Sequence, residues 1–394
     1  MKITHIHIER FRGFQNEDFE VGSLLTAIAG QNGTQKSTLL GIITQTFTLK
    51  TEDSMRVEKP LCGGSYISAF KDKFRLSPTF DKPKGHEWTI SFDAGMDDFT
   101  VESIKRTGDP NVRFWKKGAR QEGDGYISFP TIFLSLKRLV PVAEEAKIIT
   151  DDTLLTQEEL NEFKQLHNKI LIAQTPISSA TTITSKNKQS IGVSTELYDW
   201  NQNSMGQDNL GKIILALFSF KRLHDKYPRQ YKGGILAIDE MDATMYPASQ
   251  VELLKVLRKY ASKLNLQILF TTHSMSLLKA MDDLVQEVTK KEETANQAKI
   301  LYLKKVDDKI AIKQGVNFKG IQLDLNVVAE GNNRKKNRIT AYTEDKENIL
   351  FVKAILKSKA FVLDFVDVTL PCSTLMELVT KRVLAFIYPY FIVI

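Results

Sequence analysis

Residues 30–38 read Gly-Gln-Asn-Gly-Thr-Gln-Lys-Ser-Thr, which combines two glycines with a lysine and two adjacent hydroxyl side chains. An apolar stretch (24–29) precedes this run and a helical apolar pattern (39–43) follows it. A glycine-bearing loop between a strand and a helix can point several backbone N–H groups at a phosphate. Lys36 would then reach between two phosphates, and the Ser37 hydroxyl would reach Mg²⁺. We therefore expect this loop to bind the phosphates of ATP.

The expected phosphate loop departs from the usual pattern at one position. The usual motif, G-x-x-x-x-G-K-[ST], has glycine where this chain has Gln35. Glycine can adopt a backbone conformation that is strained for a residue with a side chain. If Gln35 obstructs the loop, we expect slow ATP hydrolysis; if it does not, we expect ordinary hydrolysis. The residues expected to contact the nucleotide from this loop are Gly30, Asn32, Gly33, Lys36, Ser37 and Thr38.

Two carboxylates end a second apolar strand pattern. Residues 233–238 lead into Asp239 and Glu240. We expect this strand to lie beside the strand that precedes the phosphate loop. Asp239 would then stand with Ser37 at Mg²⁺, and Glu240 would be the general base for the attacking water.

A third apolar strand pattern, residues 266–272, is followed by His273. A histidine at the end of this strand is well placed to contact the γ-phosphate. Residues 247–264 between the two patterns show helical apolar spacing, which predicts a parallel strand–helix–strand crossover. Glu240 and His273 are therefore the expected catalytic residues.

Residues 203–208 open a further helical pattern, and Ser204 is a candidate for its N-cap. The partial positive charge of a helix N-terminus attracts phosphate. This stretch resembles a degenerate signature loop of ABC-type ATPases, in which a Ser and a Gly bind the γ-phosphate of ATP held by another subunit. The resemblance implies that Ser204, Gly206 and Gln207 contact ATP across a dimer.

The composition is that of a globular protein with a basic balance. The chain has 394 residues, of which 42% are apolar and 26% charged, with a net charge of +7. We find no apolar stretch of about 18 residues and no secretory signal, so we expect a cytoplasmic protein without a membrane span. Cys62 and Cys372 lack metal-ligand spacing. The basic cluster 334–338 is interpreted as a solvated linker in preference to a specific nucleic-acid contact.

The chain is expected to contain a large unit, a linker and a smaller α/β unit. These occupy residues 1–315, 316–338 and 339–394, and a short helical insertion is expected at about 151–195. Within the insertion, Thr156 and Glu159 have capping-box spacing. The following residues, 175–194, are rich in Ser, Thr, Lys and Gln and predict an exposed loop.

The opening segment Ile-His-Ile-Glu-Arg-Phe-Arg-Gly-Phe (6–14), taken with the motifs above, resembles SMC/RecF/OLD-type ATPases over residues 1–315. The resemblance implies an α/β fold, a P-loop ABC-type ATPase head with a mixed sheet and helices, using ATP and Mg²⁺. The unit from residue 339 resembles the start of a Toprim-like domain of OLD-family nucleases, with Glu344 as its first acidic residue. No Asp-x-Asp follows residues 391–394, so nuclease activity by this chain alone is not expected.

The overall layout is similar to PtuA-like ATPases of Septu and retron-associated antiphage systems. That resemblance implies a homodimer or higher homo-oligomer and a small HNH nuclease partner (PtuB-like). In retrons it also implies a reverse transcriptase with its RNA–DNA hybrid, and hence nucleic acid in the complex. The expected function is an ATPase subunit that dimerises through ATP and controls the nuclease. The alternatives are a RecF/SMC-type DNA-repair ATPase, an ATP-binding scaffold with little hydrolysis, and a self-sufficient OLD-like nuclease.

Overall fold

The computed structural model describes residues 1–66, 73–93, 95–105, 112–118, 125–139, 148–151, 154–185, 189–329, 339–343, 346–357, 363–367 and 392–393. The chain divides into two compact units, Met1–Gln322 and Leu323–Ile394. No helix in these ranges is both long enough and apolar enough to cross a bilayer. The predicted α/β class with a mixed sheet and helices is confirmed.

The first unit contains sixteen described strands, which are listed here in chain order. They are β1 (Ile3–Phe11), β2 (Phe14–Glu20), β3 (Leu25–Gly30), β4 (Phe47–Thr48), β5 (Glu87–Phe92), β6 (Phe99–Lys105), β7 (Val112–Lys116), β8 (Ile127–Ser128), β9 (Thr131–Leu134), β10 (Ile149–Asp151), β11 (Ser179–Thr184), β12 (Gln189–Ser194), β13 (Gly234–Ile238), β14 (Leu266–Thr272), β15 (Ala298–Val306) and β16 (Lys309–Lys313). The described helices that begin in this unit are α1 (Lys36–Thr44), α2 (Gln157–Leu171), α3 (Met205–Lys226), α4 (Pro247–Lys263), α5 (Met275–Val288) and α6 (Phe318–Ala329).

A six-stranded sheet in the order β16-β15-β3-β14-β13-β9 positions the predicted site. Its strands are parallel except for β16, which is antiparallel to β15. Every residue of β3, β13 and β14 is buried, as expected for a parallel sheet covered on both faces. The carboxyl ends of these three strands meet at one edge, where ligands bind in open α/β sheets.

The strand order corrects one expectation. The strand before Asp239 does not lie beside the strand of the phosphate loop, because β14 pairs with both β13 and β3 and separates them. The crossover prediction itself is confirmed, since β13 and β14 are parallel neighbours joined through α4. The apolar patterns of three buried strands are alike, so the sequence does not specify which one is central.

A second, antiparallel sheet in the order β2-β1-β5-β6-β7 shares one hydrophobic core with α1 and the six-stranded sheet. Alternate residues of β5 and β6 point into this core, which gives the period of two seen in the sequence. Within this core, the rings of Phe11 and Phe114 contact each other, and both contact the rings of Phe74 and Trp88.

The expected insertion contains strands as well as a helix. Helix α2 begins after Thr156, whose side chain forms the predicted capping box with Glu159. The expectation of an exposed loop at 175–194 is wrong, because β11 and β12 pair as an antiparallel hairpin that β10 extends. Ile183 and Ile191 are buried, and the threonines around them favour strands. The polar composition of this segment suggested a loop because it does not show these two buried positions.

The second unit is described in part. Strands β17 (Ile339–Thr343), β18 (Leu363–Asp367) and β19 (Ile392–Val393) form a parallel sheet in the order β18-β17-β19, and α7 spans Lys346–Leu356. Helix α6 covers part of the range that was expected to be a linker. Glu344 and the basic cluster 334–338 lie outside the described residues.

We expect the stability of the first unit to depend on pH through His167 on α2. Its ring is 2% exposed, and Nε2 has no hydrogen-bond partner among the described residues. Burial lowers the pKa of His167 from 6.5 to about 4. The unfolded chain therefore binds more protons between these two values, so the free energy of unfolding decreases as pH falls through this window, by roughly 3 kcal/mol in total.

We therefore expect the melting temperature of His167→Leu to rise relative to wild type as pH is lowered from 7 to 5. Thermal melting at a series of pH values measures this difference. His224→Leu, a substitution at a histidine half-exposed on α3, is the matched control. A difference between His167→Leu and wild type that stays constant with pH would show that His167 does not titrate in this way.

Candidate active site

The loop between β3 and α1 makes a tight turn with an open face. Gly30 has φ 152°, and a Cβ there would lie 2.4 Å from the Leu303 carbonyl oxygen, so only glycine fits. Gly33 has φ 79° and has open space around it. The Thr34 hydroxyl donates to the Gln31 carbonyl at 2.8 Å and closes the turn. This shape leaves the loop accessible to a ligand at the N-terminus of α1.

Gln35 has a backbone conformation that favours glycine. Its φ is 62°, in the left-handed region, where a non-glycine residue costs about 1–2 kcal/mol. Its amide packs against the β1–β2 turn, because a Cβ on Gly13 would lie 2.8 Å from the Gln35 amide nitrogen. The side-chain oxygen is buried and accepts no hydrogen bond from the described residues. The side chain is thus directed towards the antiparallel sheet.

This orientation predicts that Gln35→Gly changes ATP turnover by no more than about threefold, which is less than 1 kcal/mol. The substitution relieves the left-handed strain and removes contacts with the β1–β2 turn, and we expect it to leave the open face of the loop unchanged. Steady-state phosphate release measures the effect. Turnover that rises tenfold or more would establish that Gln35 obstructs the site.

Lys36 is folded over its own loop. Its Nζ donates to the carbonyl oxygens of Gly30 at 3.0 Å and Gln31 at 2.8 Å. The side chain is 7% exposed, and burial lowers its pKa although the carboxylates of Glu240 and Asp239 oppose that shift. A phosphate at the loop would replace these carbonyl acceptors with charged oxygens, which are stronger acceptors.

A hydrogen bond joins the phosphate loop to the carboxylate strand. Ser37 Oγ donates to Asp239 Oδ1 at 2.9 Å, and Thr271 Oγ1 donates to the same oxygen at 2.7 Å. Hydroxyl and carboxylate oxygens are ligands that Mg²⁺ prefers. Among the described residues, no group of three or more His, Cys, Asp or Glu side chains could hold a metal ion. Phosphate and water oxygens would therefore complete the coordination of a cation held by Ser37 and Asp239.

Glu240 and His273 lie at the same edge of the sheet. Glu240 has φ 49°, and its N–H donates to Thr271 Oγ1 at 2.6 Å, so a buried hydroxyl fixes its backbone. His273 is exposed, and its N–H donates to Asp242 Oδ1 at 3.3 Å. Partial burial, and then the nearby Lys36 ammonium, lower the pKa of His273. The lowered pKa favours the neutral ring, which can donate one hydrogen bond.

Asn32 is exposed on the phosphate loop, and Thr38 is half-buried in the first turn of α1. The structure therefore brings together the predicted residues of the loop, the carboxylate strand and the histidine strand.

The residues of the expected signature loop lie at the N-terminus of α3. Ser204 is the N-cap and forms a capping box with Gln207, whose amide also donates to the Tyr198 hydroxyl at 2.9 Å. Gly206 approaches the turn after Glu240 closely, because a Cβ there would lie 2.5 Å from the Thr244 carbonyl. No hydrogen bond within the described ranges connects Ser204, Gly206 or Gln207 to the Lys36 loop.

Arg138 follows an apolar strand pattern in the sequence, where contact with a phosphate or with a dimer partner was considered without a firm assignment. It lies in a single 3₁₀ turn after β9 and is 2% exposed. Its guanidinium donates to Asn209 Oδ1 at 2.7 Å and to the Glu240 carbonyl at 2.8 Å. The sequence contains one indication that Arg138 is buried. It lies within an apolar stretch at the end of a strand, in the segment Leu-Ser-Leu-Lys-Arg-Leu-Val.

Comparison with known proteins shows that residues 136–278 match the family model of an AAA ATPase domain. No curated protein matches the chain. Among solved structures, the chain is similar to the SMC head domain from Thermotoga maritima, with 14% identity, 80% of this chain and 100% of that chain covered, and a TM-score of 0.44. An SMC head bound to the C-winged helix domain of ScpA matches with 14% identity, 82% and 100% coverage and a TM-score of 0.48. An Smc head with an extended coiled coil, bound to the C-terminal domain of ScpA from Pyrococcus furiosus, matches with 13% identity, 83% and 99% coverage and a TM-score of 0.44.

Proposed function

We propose that this chain binds ATP with Mg²⁺ at the edge formed by β3, β14 and β13, and that it hydrolyses the γ-phosphate. The main support for this proposal is the hydrogen bond between Ser37 and Asp239. These residues are 202 positions apart in the sequence, yet the fold places the loop hydroxyl next to the strand carboxylate. The AAA ATPase domain match over residues 136–278 supports it independently of the phosphate loop, which lies outside that range.

Each side chain has one task in this proposal. Lys36 and the N–H groups at the start of α1 bind the phosphates, and Ser37 and Asp239 hold the cation. Mg²⁺ supplies neutralisation of the charge that develops on the phosphate oxygens. Glu240 accepts the proton of the attacking water, and the neutral His273 ring donates a hydrogen bond to the γ-phosphate.

We also propose that two copies close head to head around two ATP molecules. The phosphate loop of one protomer would face Ser204 and Gly206 of its partner. The Ser204 oxygen accepts a hydrogen bond from the Gln207 N–H, and its own hydroxyl hydrogen stays available for a phosphate oxygen. Met205 is 39% exposed beside it, which suits a surface that is covered on dimerisation.

Sedimentation velocity of the Glu240→Gln variant tests the dimer, because blocked hydrolysis should preserve the closed state. We expect a dimer with Mg²⁺ and ATP and a smaller species with Mg²⁺ and ADP. The same sedimentation coefficient with both nucleotides, at saturating concentrations, would exclude ATP-driven closure.

A narrower proposal rests on the resemblance to PtuA-like ATPases. In that reading the chain acts in antiphage defence, the closed dimer controls a small HNH nuclease, and a retron supplies a reverse transcriptase and RNA–DNA hybrid. The Toprim-like character of the second unit belongs to the same proposal, and its parallel β18-β17-β19 sheet with α7 is compatible with it. The net charge of +7 is compatible with a complex that contains nucleic acid.

Mild affinity purification from the native gene setting tests this narrower proposal. A stoichiometric small HNH protein among the co-purifying chains is the expected result. Recovery of bulk DNA with repair factors and no nuclease would instead favour the RecF/SMC-type alternative.

A further inference from the structure

Arg138 is a buried cation, and its hydrogen bonds to described residues all go to neutral acceptors. Besides Asn209 and Glu240, it donates to the carbonyl oxygens of Leu134 at 3.3 Å and Ser135 at 3.1 Å. No described carboxylate lies within ion-pair distance of it. Burial lowers its pKa to about 10, although the nearby carboxylates of Asp239, Glu240 and Asp242 oppose that shift, and the guanidinium stays charged at neutral pH. Burying a charged side chain has a desolvation cost, and an apolar side chain would fill the same space without that cost. The presence of an arginine therefore indicates that its hydrogen bonds have a specific role.

The hydrogen bonds of Arg138 connect three segments of the fold. One donor reaches α3 at Asn209, a second reaches the turn after β13 at the Glu240 carbonyl, and the others hold the end of β9. Asn209 is fully buried, and its amide in turn donates to the Ala243 carbonyl at 3.0 Å. Arg138 and Asn209 together therefore hold both ends of the four-residue turn from Glu240 to Ala243.

Helix α3 extends this connection to its exposed N-terminus. Asn209 lies five residues after Ser204, within the first two turns of one continuous helix. Gly206 also lies close to the residue that follows the four-residue turn, because a Cβ on Gly206 would lie 2.5 Å from the Thr244 carbonyl oxygen. Since a helix moves as a nearly rigid element, a displacement at Ser204 shifts Asn209 and, through Arg138, the backbone of Glu240.

We propose that Arg138 is a positioning residue that couples the N-terminus of α3 to Glu240 within one protomer. Contact between Ser204 and the ATP held by the partner copy would then set the position of the Glu240 carboxylate in the protomer's own site. The consequence is that hydrolysis at the two sites of a dimer is coupled. This inference rests on the proposed ATPase function and names its regulation.

Arginine suits this task for a geometric reason. Its planar fork presents five donors in fixed directions, so it can hold the Asn209 and Glu240 acceptors at the same time. Lysine keeps the charge but cannot reproduce both directions. Arg138→Lys is therefore a conservative variant that should retain the fold and loosen the coupling. Asn209→Ala removes the α3 end of the connection and leaves Arg138 in place.

The test measures ATP affinity, kcat and the dependence of turnover on protein concentration for both variants and for Arg229→Lys, an exposed control. We expect Arg138→Lys and Asn209→Ala to bind ATP as wild type does and to lose kcat by about tenfold or more, since small displacements of a catalytic group have effects of that size. We also expect their turnover per protomer to rise less steeply with protein concentration. Melting temperatures establish that each variant is folded.

Two results would overturn the coupling. The first is a kcat equal to that of wild type in both variants, with the same dependence of turnover on protein concentration. If Arg138→Lys does not fold, the result for Asn209→Ala decides. The second is a fall in ATP affinity and melting temperature together with kcat, which marks a merely structural role. An absence of turnover in the wild-type protein would refute the proposed function itself, so the two failures are distinguishable.

Discussion

Replacing Glu240 with Gln should slow ATP turnover by about a hundredfold or more, the range expected when a general base is lost. Glutamine keeps the shape of the side chain but cannot accept the proton of the attacking water. The backbone at residue 240 should be unaffected, because Thr271 and Arg138 hold it through its N–H and carbonyl groups. ATP binding should remain, since the Lys36 loop is unchanged.

Single-turnover phosphate release and equilibrium binding of ATP separate these two effects. Glu252→Gln, the same change on α4 in an i,i+3 pair with Lys255, is the matched control and should match wild type in both assays. Unchanged turnover in Glu240→Gln would remove Glu240 from the chemistry and would return the protein to the ATP-binding scaffold alternative.

Lys36→Met should weaken ATP binding by roughly tenfold to a hundredfold, because a hydrogen bond to a charged partner contributes about 1.5–3 kcal/mol. Methionine retains the length of the side chain and loses the ammonium group that now donates to Gly30 and Gln31. The remaining turnover should be lower still, since the charge that develops on the transferred phosphoryl group then lacks its nearest cation.

Titration calorimetry with ATP measures the binding loss, and circular dichroism establishes that the variant is folded. The corresponding control is Lys263→Met at the exposed end of α4. Wild-type affinity and turnover in Lys36→Met would contradict the assignment of residues 30–38 as the phosphate loop.

Local sequence patterns predicted the pieces of this site because each piece depends on neighbouring residues. The phosphate loop needs Gly30 and Lys36 at fixed spacing between a strand and a helix, and the structure has a strand that ends at Gly30 and a helix that begins at Lys36. The capping box at Thr156 is equally local and is confirmed. The roles of Glu240 and His273 follow from such patterns and stay predictions.

Features that depend on distant residues were not predictable in this way. The insertion of β14 between β3 and β13 is decided by long-range pairing, and all three strands have the same apolar pattern. The hydrogen bonds of Arg138 join it to Asn209, 71 positions away, and to Glu240, 102 positions away. The motif suggested that the Gln35 side chain obstructs the nucleotide site, but this side chain packs against the β1–β2 turn. The sequence alone does not show that this turn lies next to Gln35.

Release of phosphate from γ-labelled ATP by the purified wild-type chain would show whether residues 30–38, Asp239 and Glu240 form a site that hydrolyses ATP. We expect release that needs Mg²⁺, that saturates with ATP and that falls to background in the Lys36→Met variant. Release that is absent from the wild-type chain at saturating ATP and Mg²⁺, or that is equal in wild type and Lys36→Met, would contradict the account.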